Sequence, residues 1–311
     1  MTTRTLDSHR ADALDDLRRA LRARTPPASG GGFVLTDGAW GTEMQARGLA
    51  PGEFPDLWNL THTSRVAQVA RSYVDAGSNV ILTNTFGANR VRLAEAGLGN
   101  DARAINRAGV EVSKRAADGR ALVFASMGPG GKLLFTGDVS REELDAAFRE
   151  QARALADAGA DALVVETMSD LDEAVIAIAA ARATGLPVVA SMVFDAGPNL
   201  DHTMMGASPE DVAQALTEAG ADVVGANCGQ GVAGFVGLCR RLRSATDRPI
   251  WIKANAGLPE FENGKAVYRT TPEAFASFVP ALREAGASYI GGCCGTTPAF
   301  VAALRRAQSS S

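Results

Sequence analysis

Two neighbouring thiols set between glycines, in Gly291-Gly292-Cys293-Cys294-Gly295-Thr296-Thr297-Pro298, close the last apolar run of the chain. Upstream, Val223-Val224-Gly225-Ala226-Asn227-Cys228-Gly229 repeats the arrangement: an apolar run, a thiol, a glycine. Three sulfur donors of this kind fit a zinc site with one coordination position left open. Glycine lets backbone approach an ion closely and tolerates positive φ, so both loops can fold tightly around a metal. The plainer reading is a buried pair in a tight turn with Cys228 unrelated, and no short Cys-x-x-Cys spacing argues against it. A vicinal-dithiol redox protein would need a strained bridge between neighbours and would leave Cys228 without a role.

Three thiolates on Zn²⁺ give a centre with a net charge of about −1, a poor activator of water but a good host for a further thiol. A free thiol has a pKa of about 8.5, and metal coordination ionises it at neutral pH. Two carboxylates, Asp37 after the first apolar run and Glu166 at the end of the fourth, could hold an ammonium group by charge-assisted hydrogen bonds. The consistent picture is a small amino acid bearing a thiol, ionised at the metal and attacking an electrophilic carbon. Cys239 lies inside a helical pattern and reads as core, and His9, His62 and His202 lack ligand spacing with any other candidate.

These residues need elements that bring them to one place. Short apolar strands are expected at Phe33–Thr36, Asn79–Thr83, Ala121–Ser126, Ala162–Glu166, Pro187–Phe194, Asp222–Asn227, Ile250–Asn255 and Ser288–Gly292. Helical patterns follow them, among others at Ser64–Ala76, Asp101–Ala117, Arg141–Ala158, Leu171–Thr184, Pro209–Ala219, Ala233–Ala245 and Pro272–Ala285. Several end at Ala-Gly or Thr-Gly, a helix stop, and Ser140 with Glu143 has the spacing of a capping box. Strands that are apolar throughout and alternate with helices belong to a parallel sheet covered on both faces. Eight such units predict an α/β fold, a (β/α)₈ TIM barrel, whose active residues sit at the carboxyl ends of the strands. Asp37, Asn84, Ser126, Glu166, Cys228, Asn255 and the Cys293-Cys294 pair all fall there, which raises the zinc reading above the plainer one. A doubly wound sheet is disfavoured because neither a dinucleotide nor a P-loop glycine motif occurs.

The barrel is expected over residues 33–306, with a tail at 307–311. Residues 1–32 read as an N-terminal helical extension, Leu6 to about Arg24 with Leu14, Leu17 and Leu21 at helical spacing, joined by a Gly/Pro linker. Two loops are longer than the fold needs, Asp195–Ser208 and the stretch from Ala256 to Thr271, where Asn263-Gly264 marks a small hairpin.

Across 311 residues, 46% are hydrophobic and 21% charged, and the net charge is −4. That balance argues against a nucleic-acid binder, and no stretch approaches the roughly 18 apolar residues of a membrane span. Four cysteines are too few for a secreted disulfide scaffold and read as reduced thiols, so a cytoplasmic protein is expected.

Asp37-Gly38-Ala39-Trp40-Gly41-Thr42-Glu43-Met44, Ile81-Leu82-Thr83-Asn84-Thr85-Phe86, Gly225-Ala226-Asn227-Cys228 and the Gly291–Pro298 run, in this order, resemble the homocysteine S-methyltransferase family. The similarity runs from about Phe33 to Arg306 and is greatest to the homocysteine-binding barrel of cobalamin-dependent methionine synthase. It implies Cys228, Cys293 and Cys294 as ligands of one zinc ion. It also implies Asp37 and Glu166, helped by the Gly38 backbone, as holders of the homocysteine amino group. Asn255, in Asn255-Ala256-Gly257, is implied to fill the fourth zinc position until substrate displaces it. Betaine-dependent members are expected to carry Tyr after the strand-four Glu, where this chain has Thr167, and to have a long C-terminal arm. No Asp-x-His-x-x-Gly cobalamin motif occurs. The expected reaction is therefore methyl transfer to homocysteine, giving methionine, from methylcobalamin carried by a separate corrinoid-binding protein. An onium donor such as betaine or S-methylmethionine, or a non-catalytic zinc barrel that docks a corrinoid protein, are the alternatives.

Overall fold

Eight parallel strands form one sheet in the computed structural model, which describes residues 15–21, 32–262 and 265–309. They are β1 (Val34–Leu35), β2 (Val80–Ile81), β3 (Leu122–Met127), β4 (Ala162–Met168), β5 (Val188–Met192), β6 (Val223–Gly231), β7 (Ile250–Asn255) and β10 (Ala287–Gly292). A two-stranded antiparallel hairpin, β8 (Glu260–Glu262) and β9 (Lys265–Val267), follows β7. The expected Asn263-Gly264 turn between its strands lies outside the described residues.

The order β1-β10-β7-β6-β5-β4-β3-β2 wraps the sheet almost into a ring. A side chain closes the remaining seam. Asn79 donates its backbone N–H to Leu35 O (2.8 Å), and its Oδ1 accepts from Leu35 N (3.0 Å). The architecture is the expected (β/α)₈ barrel.

Alternate residues of the strands pack together inside the ring: Val34, Val80, Phe124, Val164, Val189, Val223, Trp251 and Tyr289. The intervening residues pack outward against the helices in a second, larger cluster, which is why each strand reads as apolar throughout. The short helix at residues 15–21 closes the amino-terminal end. Leu21 joins the inner cluster, Tyr289 Oη donates to Leu21 O (3.2 Å), and Arg18 reaches Gly185 O (2.8 Å) and Asp222 (3.6 Å). The rest of the expected Leu6–Arg24 helix lies outside the described residues, as does the linker except for its last residue, Gly32.

The local signals act as their chemistry predicts. Ser140 and Glu143 form the reciprocal capping box of helix Arg141–Asp157, which stops where Gly159 turns to φ 93°. One helix departs from the pattern. Pro272–Ala285 is split into Pro272–Ala276 and Val279–Glu284, because Pro280 has no N–H and its ring would collide with the carbonyl four residues back. The last helix, Pro298–Ser309, continues beyond Arg306 into the expected tail. Among the described residues no helix is long and apolar enough to cross a membrane.

Candidate metal and substrate site

Cys228 stands at an irregularity in β6 where the register against β7 shifts between Asn227 and Gly231. Its φ is 63°, an unusual conformation for a side chain-bearing residue, and it turns the thiol out of the strand. Cys293 and Cys294 follow β10, with Cys293 N bonded to Ala254 O (2.7 Å) and Ala256 N to Cys294 O (2.9 Å). The last strand's loop is thus stitched to the end of β7. The three sulfurs lie within 4.8 Å of one another. Tetrahedral zinc with Zn–S bonds of about 2.3 Å needs sulfurs about 3.8 Å apart, and Cys228 Sγ and Cys294 Sγ are separated by 3.8 Å. Asn255 is buried at the end of β7, its side chain close enough to Cys228 to favour the thiolate. Its Oδ1 has no hydrogen-bond partner among the described residues. The three convergent thiols could hold a metal ion, and an orphaned buried oxygen beside them is compatible with a four-coordinate zinc site.

Without a cation the thiols share protons unequally. Hydrogen bonds from Cys293 and Cys294 hold the Cys228 thiol far below its ordinary range. The same bonds to Cys228, with burial, push Cys293 and Cys294 upward. One thiolate forms readily, and the next two need a positive charge. Tyr268, just after the hairpin, packs its ring over Gly295, where a Cβ would lie 2.2 Å from the ring carbon Cγ. Burial first, then the neighbouring cysteines, raise its phenol to about 12.

Glu166 is presented by a second irregularity. The β4–β5 register shifts between Val165 and Met168, and Thr167 adopts φ 59°, strained for a β-branched residue. Asn227 holds that turn in place. Its Oδ1 accepts from Thr167 N (2.9 Å) and Ser191 Oγ (2.6 Å), and its Nδ2 donates to Thr167 Oγ1 (2.7 Å). Nδ2 also lies 3.8 Å from Cys293 Sγ, so one buried amide ties the carboxylate turn to the sulfur cluster. Glu166 itself accepts from Ser126 Oγ. Burial raises its pKa, opposed by the charge of Lys253 and by the Ser126 bond.

The three cysteines, Ser126, Glu166 and Thr167 border a cavity of about 580 Å³ lined also by Trp40, Phe54, Leu82, Phe86 and Arg92. Gly38 is part of its wall, and a Cβ there would stand 2.9 Å from Thr296 Oγ1 and from the Tyr73 ring, so only glycine fits the close packing at this position. Asp37 is fully buried behind that wall. Its Oδ2 accepts from Trp40 Nε1 and Leu82 N, both at 2.7 Å, and its Oδ1 from Lys253 Nζ.

The sequence profile of the homocysteine S-methyltransferase family matches residues 34–308. This chain belongs to the homocysteine S-methyltransferase family. It is 31% identical over 290 residues to methionine synthase of Mycobacterium tuberculosis, covering 86% of this chain and 24% of that protein. The chain therefore spans about a quarter of the length of that relative. It is 29% identical over 296 residues to betaine–homocysteine S-methyltransferase 1 of Danio rerio, covering 88% of this chain and 72% of that one. Among solved structures, the metallated form of the homocysteine methyltransferase MmuM from Escherichia coli superposes with a TM-score of 0.74 at 25% identity, covering 91% of this chain and 98% of that one.

For a member of this family, the structure gathers the expected residues at one mouth: Cys228, Cys293, Cys294, Glu166, Asn255 and the Gly38 backbone. Asp37 reaches the same place but faces Lys253 rather than open space. Asn84 borders the cavity while its amide is spent on Pro55 O (2.7 Å) and Asn59 Oδ1 (3.0 Å). Cys239 is core, donating toward Ala285 O (3.5 Å). His62 stacks on Trp58 and His202 pairs with Asp201, both apart from the sulfurs. His9 lies outside the described residues. Sequence reasoning missed Asn227, Lys253 and Tyr268. Asn227 carried a signal, a buried-type polar residue immediately before a candidate ligand. Lys253 carried a fainter one, a lone charge inside an apolar strand.

Proposed function

We propose that this chain is a zinc-dependent S-methyltransferase that moves a methyl group to the thiol of homocysteine, giving methionine. The observation that carries the reading is the sulfur tripod with an orphaned Asn255 oxygen, opening on a cavity that also holds Glu166. Cys228, Cys293 and Cys294 would hold zinc, with Asn255 Oδ1 as the exchangeable fourth donor. Bound zinc supplies the ionisation of the incoming thiol at neutral pH. Glu166, with the Gly38 backbone beside it, holds the substrate's amino group, while Asp37 acts through Lys253. The sulfur attacks the methyl carbon in line: the S–C bond forms as the bond to the donor breaks, and the donor leaves with the electron pair. No general base is required. Trp40, Phe54, Leu82 and Phe86 keep the reacting carbon away from water, and rate comes from orientation. A protein that relies on reduced thiols fits the cytoplasm.

The proposed donor is a methylcorrinoid on a separate protein, supported by the resemblance to the methionine synthase barrel. An onium donor is a second reading, favoured by the aromatic rings of Trp40, Phe54 and Phe86 on the cavity wall, which suit a cationic methyl group. The test is zinc analysis of reduced protein and methionine formation from homocysteine with methylcobalamin, betaine and S-methylmethionine in turn. Zinc near one per chain and turnover with one donor are expected, both lost in Cys293→Ala. A Cys293→Ala protein that keeps its zinc and full activity would falsify the mechanism. Zinc without thiol binding or turnover would leave a docking barrel.

A further inference from the structure

Lys253 projects from β7 and is 2% exposed, yet it borders the cavity beside Glu166. Its Nζ gives one N–H to Asp37 Oδ1 and stands 5.8 Å from the Trp251 ring centroid. Among the described residues Nζ makes no other hydrogen bond, so two of its three donors are unspent in a nearly dry setting. Glu166 is in the matching state: Oε1 is taken by Ser126, and Oε2 has no protein partner among the described residues. Lys253 is also the strongest influence favouring the charged form of Glu166. The cavity that the sulfurs border therefore carries both a cation and an anion on its lining, with Asp37 behind the cation.

We propose that Lys253 is a specificity-determining residue that receives the carboxylate of the thiol substrate, while neighbouring Glu166 receives its ammonium. The assignment rests on the thiol-methyltransferase reading and deepens it. A zwitterionic α-amino acid presents both charges on one carbon, and the adjacent pair matches them. Asp37 becomes a positioning residue. It fixes Lys253 through Oδ1 and is itself held by Trp40 and Leu82.

The experiment is calorimetric titration of the zinc-loaded protein with three thiols: homocysteine, 3-mercaptopropan-1-amine, which lacks the carboxylate, and 4-mercaptobutanoate, which lacks the amine. Wild type should prefer homocysteine over 3-mercaptopropan-1-amine by about tenfold or more. Lys253→Met should shrink that ratio below about threefold and leave the homocysteine to 4-mercaptobutanoate ratio unchanged. Glu166→Gln should do the reverse, and Lys253→Arg should preserve the wild-type pattern. Because Lys253→Met leaves a buried carboxylate unpaired, Asp37→Asn/Lys253→Met, which removes both charges, decides the matter if the single variant does not fold. Tighter homocysteine binding without Lys253 overturns the proposal, since the lysine would then be occupying the ammonium's place. An unchanged ratio overturns it as well. Homocysteine failing to bind zinc-loaded wild type at all would instead refute the methyltransferase reading itself.

Discussion

Asn227→Ala tests whether one buried amide holds the site together. Asn227 is completely buried and makes three close hydrogen bonds, at 2.9, 2.6 and 2.7 Å, to Thr167 and Ser191. Removing it orphans the Thr167 N–H and the Ser191 hydroxyl, at about 1–3 kcal/mol for each unsatisfied buried group. The combined loss is about 4 kcal/mol. An unfolding entropy of about 2.1 cal/mol/K per residue over 311 residues gives about 0.65 kcal/mol/K, so Tm should fall by about 6 °C. Ser191→Ala is the control. It removes one donor while Asn227 Oδ1 keeps Thr167 N, at about 1 kcal/mol and so about 1.5 °C. Thermal unfolding of the metal-free proteins measures both. Asn227 also holds the strained Thr167 turn that carries Glu166 and touches Cys293, so zinc retention after dialysis and homocysteine affinity should drop in Asn227→Ala and not in Ser191→Ala. An Asn227→Ala protein as stable as Ser191→Ala, with wild-type zinc retention, refutes the reasoning.

Burial raises Asp56 from 3.8 to about 6, against the Gly87 N–H bond and the Arg92 charge. Below 3.8 folded and unfolded chains both hold the proton. Through the window up to about 6 only the folded chain does, so stability falls as pH rises, by roughly 3 kcal/mol in all. Urea midpoints should therefore decline less between about pH 4 and pH 7 in Asp56→Asn than in wild type; parallel curves would show that Asp56 is not the group responsible. Burial also pushes the Cys239 thiol up to about 12, which makes it a poor nucleophile. Chelator-treated protein should show one fast-reacting thiol, Cys228, whose pKa is lowered while those of Cys293 and Cys294 are raised, and Cys239→Ala should still show one and bind zinc as before. A drop in either number would place Cys239 in the metal site.

Much of this protein is legible in one dimension. The apolar runs are short, continuous and spaced by helical patterns, because every barrel strand is buried on both faces. The helix stops and the Ser140–Glu143 box are local chemistry and need no tertiary context. The three thiols and Glu166 stand at strand ends, and the parallel topology puts all such ends on one rim. Even the break at Pro280 was readable, since a proline inside a helical pattern is itself a local signal.

Tertiary structure alone decided which way the interior polar groups face. A lysine within Ile250-Trp251-Ile252-Lys253-Ala254-Asn255 is a single charge on an apolar strand until barrel curvature brings it onto Asp37, far away in sequence. The same closure turns Asp37 from an open carboxylate into one spent on Trp40, Leu82 and Lys253. The turns at Thr167 and Cys228 are set by bonds to Asn227 and by register shifts between strands, contacts that propensity does not encode. The residue types and their order along the chain thus determined the chemistry on offer, and the packing of one strand end against another determined which of those groups a ligand can reach.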